Sequence, residues 1–99
     1  MIFEIASFKL LEVADEGTFL AEHKKVHDMW VTKQPGYISR STTKSAAGEW
    51  RDIIKWNSLE QAHDASGLII KSPEAGPWMS LMDPESIKMY HGEEMVMLE

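Results

Sequence analysis

Three histidines occupy positions from which they could move a proton. His23 and His27 are four residues apart, a spacing that puts both side chains on one face of a helix. His91 follows Tyr90 in a segment with the composition of a strand. A histidine titrates near neutral pH, so it is suited to take a proton from a phenol or a hydroquinone. We therefore predict that His23, His27 or His91 acts as a catalytic base.

The same histidines have two other interpretations. Two histidines at this spacing can share a metal ion, and His91 could then be a third ligand. Alternatively, they line the seam between a helix and a sheet, or flank it in solvent. For His91 the alternative is a surface position on its strand. No Glu or Asp is fixed beside the pair by a metal-site motif, so no metal is predicted.

Large apolar side chains indicate where a ligand would be held. The chain has four tryptophans and seven methionines, enough to wall a pocket for a flat apolar ligand, although such residues more often form a core or an interface. Trp78 and Met79 directly follow Pro77, and broken segments border sites more often than regular elements do. The predicted substrate-binding residues are Trp56, Trp78, Met79 and Tyr90.

The elements that must position these residues can be read from apolar periodicity and turn residues. Four segments have strand-like patterns: residues 2–10, 37–44, 49–56 and 86–98, the last with a bulge at Gly92. Residues Ser45 to Gly48 form a turn between the second and third segments, which predicts a hairpin.

Helices are predicted between these strands. The first begins near Asp15 and is stopped by Pro35-Gly36, because proline lacks the backbone donor that a helix needs. The second begins at Ser58, which forms a capping box with Gln61. A short third helix is opened by Ser72-Pro73 and ended by Asp83-Pro84, with a kink at Gly76-Pro77.

The resulting order is β-α-β-β-α-(α)-β, which is the ferredoxin-like topology. We predict a single α+β domain over residues 1–99 with a four-stranded antiparallel sheet. Its helices suffice to cover one sheet face, and the other face also carries apolar residues. Pairing of two copies through that face would remove them from water, so a homodimer in the form of a dimeric α+β barrel is expected.

Pairing across the hairpin turn assigns residues to faces by parity. It predicts that Asp52 shares a face with Trp50 and Trp56, while Arg40 and Arg51 lie on the opposite face. A buried carboxylate needs a partner. The predicted partners of Asp52 are a salt bridge across the dimer or a serine of the second strand.

Composition excludes several classes of function. The net charge is −6 and no basic cluster is present, so neither nucleic acid nor an anionic membrane is an expected partner. The chain has no cysteine, which excludes disulfides and thiolate chemistry. No signal-peptide pattern and no apolar stretch of membrane-spanning length is found, so a cytoplasmic location is expected.

Three stretches of the sequence resemble a known family, and the similarity covers essentially the whole chain. The segments Gln34-Pro35-Gly36-Tyr37-Ile38-Ser39-Arg40 and Gly48 to Ser58 are similar to the antibiotic biosynthesis monooxygenase (ABM) domain superfamily, and the stretch Trp78 to His91 resembles bacterial members of it. The resemblance implies a dimeric α+β barrel. It also implies a cofactor-independent monooxygenase acting on a small aromatic or quinol compound. The alternative, indicated because no charged triad, metal motif or phosphate-binding loop is found, is a non-catalytic small-molecule-binding or stress-associated dimer whose pocket holds a small hydrophobic molecule. The haem-degrading branch uses an Asn on its first strand, which this chain lacks, so no haem or other cofactor is expected.

Overall fold

The computed structural model describes all 99 residues of the chain. Its helices and strands are β1 (Ile2–Phe8), α1 (Glu16–Met29), β2 (Tyr37–Lys44), β3 (Trp50–Trp56), α2 (Leu59–Ile69), α3 (Ala75–Met79) and β4 (Lys88–Glu93), with short 3-10 turns at Val31–Lys33 and Pro84–Ser86. The four strands form one antiparallel sheet in the order β2-β3-β1-β4. The predicted α+β ferredoxin-like fold is therefore confirmed.

Both predicted helix starts are capped as expected. The Asp15 carboxylate accepts a hydrogen bond from the backbone N–H of Thr18 at 2.9 Å, and the Ser58 hydroxyl accepts one from that of Gln61 at 3.2 Å. The end of α1 was predicted too late, since the helix stops at Met29 rather than at Pro35. The backbone of Trp30 leaves the helical region, and a 3-10 turn follows.

The last two elements are shorter than predicted. Strand β4 ends at Glu93 because its partner on β1 is Ile2, and β1 does not extend beyond it. Gly92 pairs with Phe3 in continuous register, so the predicted bulge there is wrong. In α3, Pro77 lies within the first turn, where no backbone donor is required, and a helix of only five residues forms instead of a longer kinked one.

The predicted faces of β2 are wrong, because the hairpin register differs by one residue. Lys44 pairs with Trp50, and the turn closes where the Ser45 N–H donates to the Glu49 carbonyl at 2.8 Å. A one-residue shift moves every side chain of a strand to the opposite face. Arg40 therefore shares the helix-covered face with Asp52, while Ser39, Ser41 and Thr43 lie on the outer face. A bulge between Tyr37 and Ser39 returns Tyr37 to the face of Trp56.

This register creates a buried ion pair. The Arg40 guanidinium donates to Asp52 through Nε at 2.8 Å and through a terminal nitrogen at 2.6 Å. The two side chains are only 3% and 5% exposed. The partner of Asp52 is thus Arg40, an arginine of the same hairpin. The predicted partners, a salt bridge across the dimer or a serine of the second strand, are wrong.

The core lies between the sheet and the helices. Phe8, Phe19 and Trp50 pack at one end, with ring centroids 5.0 to 6.4 Å apart. The other buried apolar residues are Val26, Val31, Ile54, Trp56, Ala62, Ala65, Ala75, Trp78 and Met82. The two central strands β1 and β3 and all three helices contribute to this layer of side chains, part of which also forms the walls of the site described below.

Removing one partner of the buried pair should be costly. Arg40→Leu leaves the Asp52 charge unpaired, and we expect a loss of about 3–5 kcal/mol in the free energy of unfolding. The double variant Arg40→Leu/Asp52→Leu removes both charges and should lose much less than the single one. Urea denaturation measures both. As a control, Lys24→Leu breaks an exposed pair with Asp28 and should change stability by less than about 1 kcal/mol.

Equal losses in Arg40→Leu and Lys24→Leu would contradict the assignment of this ion pair to the interior.

Candidate functional site

A cavity of about 230 Å³ lies between the helix-covered face of the sheet and the helices. This is far above the roughly 10–15 Å³ that one water molecule needs. Most of its lining is apolar. Three of the four residues predicted to bind a substrate line it, namely Trp56, Trp78 and Met79. The cavity is thus of a kind that admits a flat apolar molecule.

Tyr90, the fourth predicted substrate-binding residue, is not brought to this cavity. It pairs with Ile5 on β1, whereas the next residue, His91, pairs with Glu4. Successive side chains of a strand point to opposite faces, so His91 lies on the helix side and Tyr90 on the outer side. Tyr90 is 59% exposed there.

Two carboxylates line the cavity, and the first is fully engaged. Both oxygens of Asp52 accept hydrogen bonds from Arg40, which also lines the cavity. The Thr42 hydroxyl lies at 3.5 Å from Oδ1. The positive charge of Arg40 and the negative charge of Asp52 cancel, so the pair adds almost no net charge to the cavity wall. Each oxygen of Asp52 therefore already has a protein hydrogen bond.

The second carboxylate, Glu4, has one oxygen available. Its Oε2 accepts a hydrogen bond from the Ser66 hydroxyl at 2.6 Å and lies 2.8 Å from Nε2 of His91. Its Oε1 has no protein partner. The residue is only 6% exposed. Sequence reasoning missed Glu4, although its even position in β1, in step with Phe8, was a signal that it faces the helices.

His23 is buried behind the cavity wall with both ring nitrogens engaged. Its Nδ1 accepts a hydrogen bond from the indole N–H of Trp78 at 3.0 Å, with an Arg40 nitrogen at 3.5 Å. Indole and guanidinium nitrogens only donate, so Nδ1 is unprotonated and Nε2 carries the hydrogen. Nε2 then donates to the Thr42 hydroxyl at 2.8 Å. His23 does not line the cavity, and it fixes the orientation of Trp78, which does.

The environment of His23 and His27 favours their neutral forms. Burial, followed by the nearby charge of Arg40, lowers the pKa of His23 to about 4. The same two causes lower the pKa of His27, whose Nδ1 lies 3.4 Å from an Arg40 nitrogen. Neither residue lines the cavity.

The three predicted bases do not converge. Arg40, Ile54, Glu4 and His91 are lateral neighbours on β2, β3, β1 and β4. His23 and His27 meet at the Arg40 end of this row, and His91 lies at the other end, three strand spacings or roughly 14 Å away. No group of three or more His, Cys, Asp or Glu side chains is arranged to hold a metal ion. The role of each histidine as a base stays a prediction.

Solved structures with the same architecture are numerous, although the sequences differ widely. SnoaB, a cofactor-independent oxygenase from Streptomyces nogalater, has 12% identity and a TM-score of 0.79, covering 98% of this chain and 95% of its own. The monooxygenase from the gene ActVA-Orf6 of Streptomyces coelicolor, solved with the ligand nanaomycin D, has 15% identity and a TM-score of 0.72, covering 99% and 90%. An antibiotic biosynthesis monooxygenase structure has 9% identity and a TM-score of 0.74, covering 97% and 100%.

These likenesses define the fold. The chain has the fold of the antibiotic biosynthesis monooxygenases over nearly its whole length, as its sequence resemblance implied. No protein-family model and no curated protein sequence is significantly similar to it. None of its helices has the length and apolar character needed to cross a bilayer.

The low pKa of His23 predicts an acid-sensitive stability. The unfolded chain binds a proton at His23 near pH 6.5, whereas the folded chain does so only near pH 4, so stability falls as the pH drops between these values. Lowering the pH from 7.5 to 5 should remove about 2 kcal/mol of unfolding free energy through this residue alone. Urea denaturation of the protein and of His23→Asn at both pH values measures the difference.

The comparison variant is His63→Asn, which changes an exposed histidine and should keep the full pH dependence. An identical pH dependence in His23→Asn would refute the assignment to His23.

Proposed function

We propose that this protein is a member of the ABM family and a cofactor-independent monooxygenase that acts on a small aromatic or quinol compound held in the cavity. One observation carries the proposal: an apolar cavity contains a carboxylate, Glu4, that keeps one oxygen free of protein partners. Such a site can bind a flat ring and take a proton from it.

The reaction needs no cofactor, because the substrate supplies all the electrons. Loss of a proton converts a phenol into an electron-rich phenolate, which can react with dioxygen directly. In the overall change, a phenol and O₂ give a para-quinone and water. One oxygen atom enters the ring, the other leaves as water, and four electrons pass from substrate to O₂. The apolar wall formed by residues such as Trp78 and Met79 would keep solvent from the intermediate.

The structural neighbours support this choice of chemistry. SnoaB is a cofactor-independent oxygenase, and the ActVA-Orf6 monooxygenase was solved with a bound ligand, nanaomycin D. The second candidate function is non-catalytic binding of a small hydrophobic molecule. It is favoured by one observation, namely that all four histidines lie outside the cavity lining.

Filling the cavity should abolish oxygen consumption. Ala6 lines the cavity, so Ala6→Phe should remove most of the space for a substrate. With 1-naphthol, whose para carbon carries hydrogen, as the test substrate, we expect oxygen uptake above the buffer rate in the unmodified protein and a drop of at least about tenfold in Ala6→Phe. An oxygen electrode measures the rate, and tryptophan fluorescence measures binding.

The control is Ala21→Leu, which adds bulk at an exposed position of α1 and should leave both readings unchanged. Binding without oxygen uptake would refute the oxygenase proposal and support the binding role.

We also propose that two copies pair through the outer face of the sheet. All helices lie on the opposite face, and the outer face carries Phe3, Ile5 and Ile53, which are only partly buried in one chain. Tyr90 lies on the same face. A contiguous apolar face of this kind is unusual on a monomer, and a second copy supplies a complementary one by twofold symmetry.

A charge at the centre of the outer face should separate the copies. Ile53→Lys would bury two lysines against each other in a symmetric dimer, so we expect the mass in solution to fall from twice 11.3 kDa to 11.3 kDa at micromolar concentration. Light scattering coupled to size exclusion measures it. Ala21→Lys, at an exposed position of α1, should remain dimeric. A monomer in the unmodified protein would contradict the proposal.

A further inference from the structure

We infer that Glu4 is the catalytic base of this site, and that Ser66 and His91 are positioning residues that hold its carboxylate. This inference rests on the proposed function in naming the reaction, although the proton transfer itself can be measured without oxygen. Glu4 was not among the residues that the sequence pointed to, and its role follows from which groups reach the cavity with a free acceptor.

The ionisable side chains that line the cavity are Glu4, Arg40 and Asp52. An arginine cannot accept a proton. Both oxygens of Asp52 are occupied by the two hydrogen bonds from Arg40. None of the histidines lines the cavity. Among the ionisable residues of the lining that can accept a proton, only Glu4 has an oxygen, Oε1, with no protein hydrogen bond.

The other oxygen of Glu4 is held from two sides. Ser66 on α2 donates to Oε2 at 2.6 Å, and His91 on β4 lies 2.8 Å from the same atom. An ionised carboxylate only accepts, so Nε2 of His91 must carry the hydrogen in that contact. Two donors on Oε2 fix the plane of the carboxylate and leave Oε1 exposed to a ligand. This arrangement orients a base before substrate arrives.

His91 also connects the carboxylate to the surface. It lines a second, shallower hollow together with Asn57 and Ser58. The ring of His63, from α2, packs edge-on against that of His91 with centroids 4.8 Å apart. The groups that face Glu4 are therefore His91 and, behind it, His63. Glu93 follows on β4, and the neutralised Arg40–Asp52 pair joins β2 to β3 on the same face of the sheet.

The chemical step conserves the charge of the cavity. A C–H or O–H bond next to an aromatic ring breaks, and its proton forms an O–H bond with Oε1 of Glu4. The electron pair stays on the substrate as an enolate or a phenolate. One negative charge moves from Glu4 to the substrate, so no additional charge is created in an apolar site, where an unpaired charge is strongly unfavourable. The substrate class is therefore an aromatic carbon acid or phenol that can delocalise this charge.

Anaerobic hydrogen–deuterium exchange tests the base apart from the oxygen chemistry. The probe is 2-tetralone, a bicyclic ketone whose acidic C–H bonds exchange with D₂O only after a proton is removed. Mass spectrometry follows the exchange, and tryptophan fluorescence gives the dissociation constant. We expect exchange above the buffer rate in the unmodified protein. In Glu4→Gln the rate should drop at least about 100-fold with the dissociation constant changed less than about threefold.

Three variants control the measurement. Glu60→Gln makes the same chemical change at an exposed position of α2 and should keep the full rate. Glu4→Asp keeps a carboxylate and should retain part of the rate, which also covers the case in which Glu4→Gln does not fold. His91→Gln preserves a donor towards Oε2 and should retain more of the rate than His91→Ala, at an unchanged dissociation constant.

The possible results separate the two proposals. Full exchange in Glu4→Gln, or no exchange by an unmodified protein that binds 2-tetralone, would overturn Glu4 as the base. Exchange that depends on Glu4 without oxygen uptake from any phenol would support the base and overturn the oxygenase. If the protein binds neither 2-tetralone nor 1-naphthol, both the assignment of Glu4 as the base and the oxygenase proposal are overturned.

Discussion

The bidentate pair between Arg40 and Asp52 is the interaction on which the rest of the site depends. It is almost inaccessible to water, so each charge requires the other. Because one partner lies on β2 and the other on β3, the pair holds a single hairpin register. The same guanidinium lies within 3.5 Å of ring nitrogens of His23 and His27 and under the ring of Trp78. Through these contacts, Arg40 supports an aromatic wall of the cavity, and its charge adds to the effect of burial in lowering the pKa of both histidines.

Much of the fold could be predicted from the sequence because its signals are local. The Asp15 and Ser58 caps act within three residues, and the strands show in their own composition. The register of the hairpin could not be predicted in the same way. Strand β2 is polar on both faces, with Ser39 and Ser41 on one side and Arg40 and Thr42 on the other, so alternation carries no information about which face is buried. The turn length then decides the register, and the observed turn is one residue longer than the predicted one.

The residues of the site also differ in whether the sequence alone could predict them. Trp78 and Met79 could be predicted because a proline-broken segment rich in apolar residues is conspicuous in the sequence. Glu4 could not, since a lone glutamate in a strand more often lies in solvent. What makes it unusual are its contacts with Ser66 and His91, which are 62 and 87 residues away along the chain. The histidines attracted attention by residue type and spacing, yet the structure leaves them behind or beside the cavity rather than in its lining.

The central position of β1 in the sheet has a consequence for how the protein is made. The first strand of the chain pairs with β3 on one side and with β4, the last strand, on the other. During synthesis, Glu4 emerges from the ribosome early, but His91, which holds its carboxylate, emerges about 87 residues later. Contacts of such separation form slowly, and strand edges left open in the meantime favour association with other chains. A nascent chain interrupted before residue 88 would lack Met89 of the cavity lining as well as the hydrogen bond from His91 to Glu4.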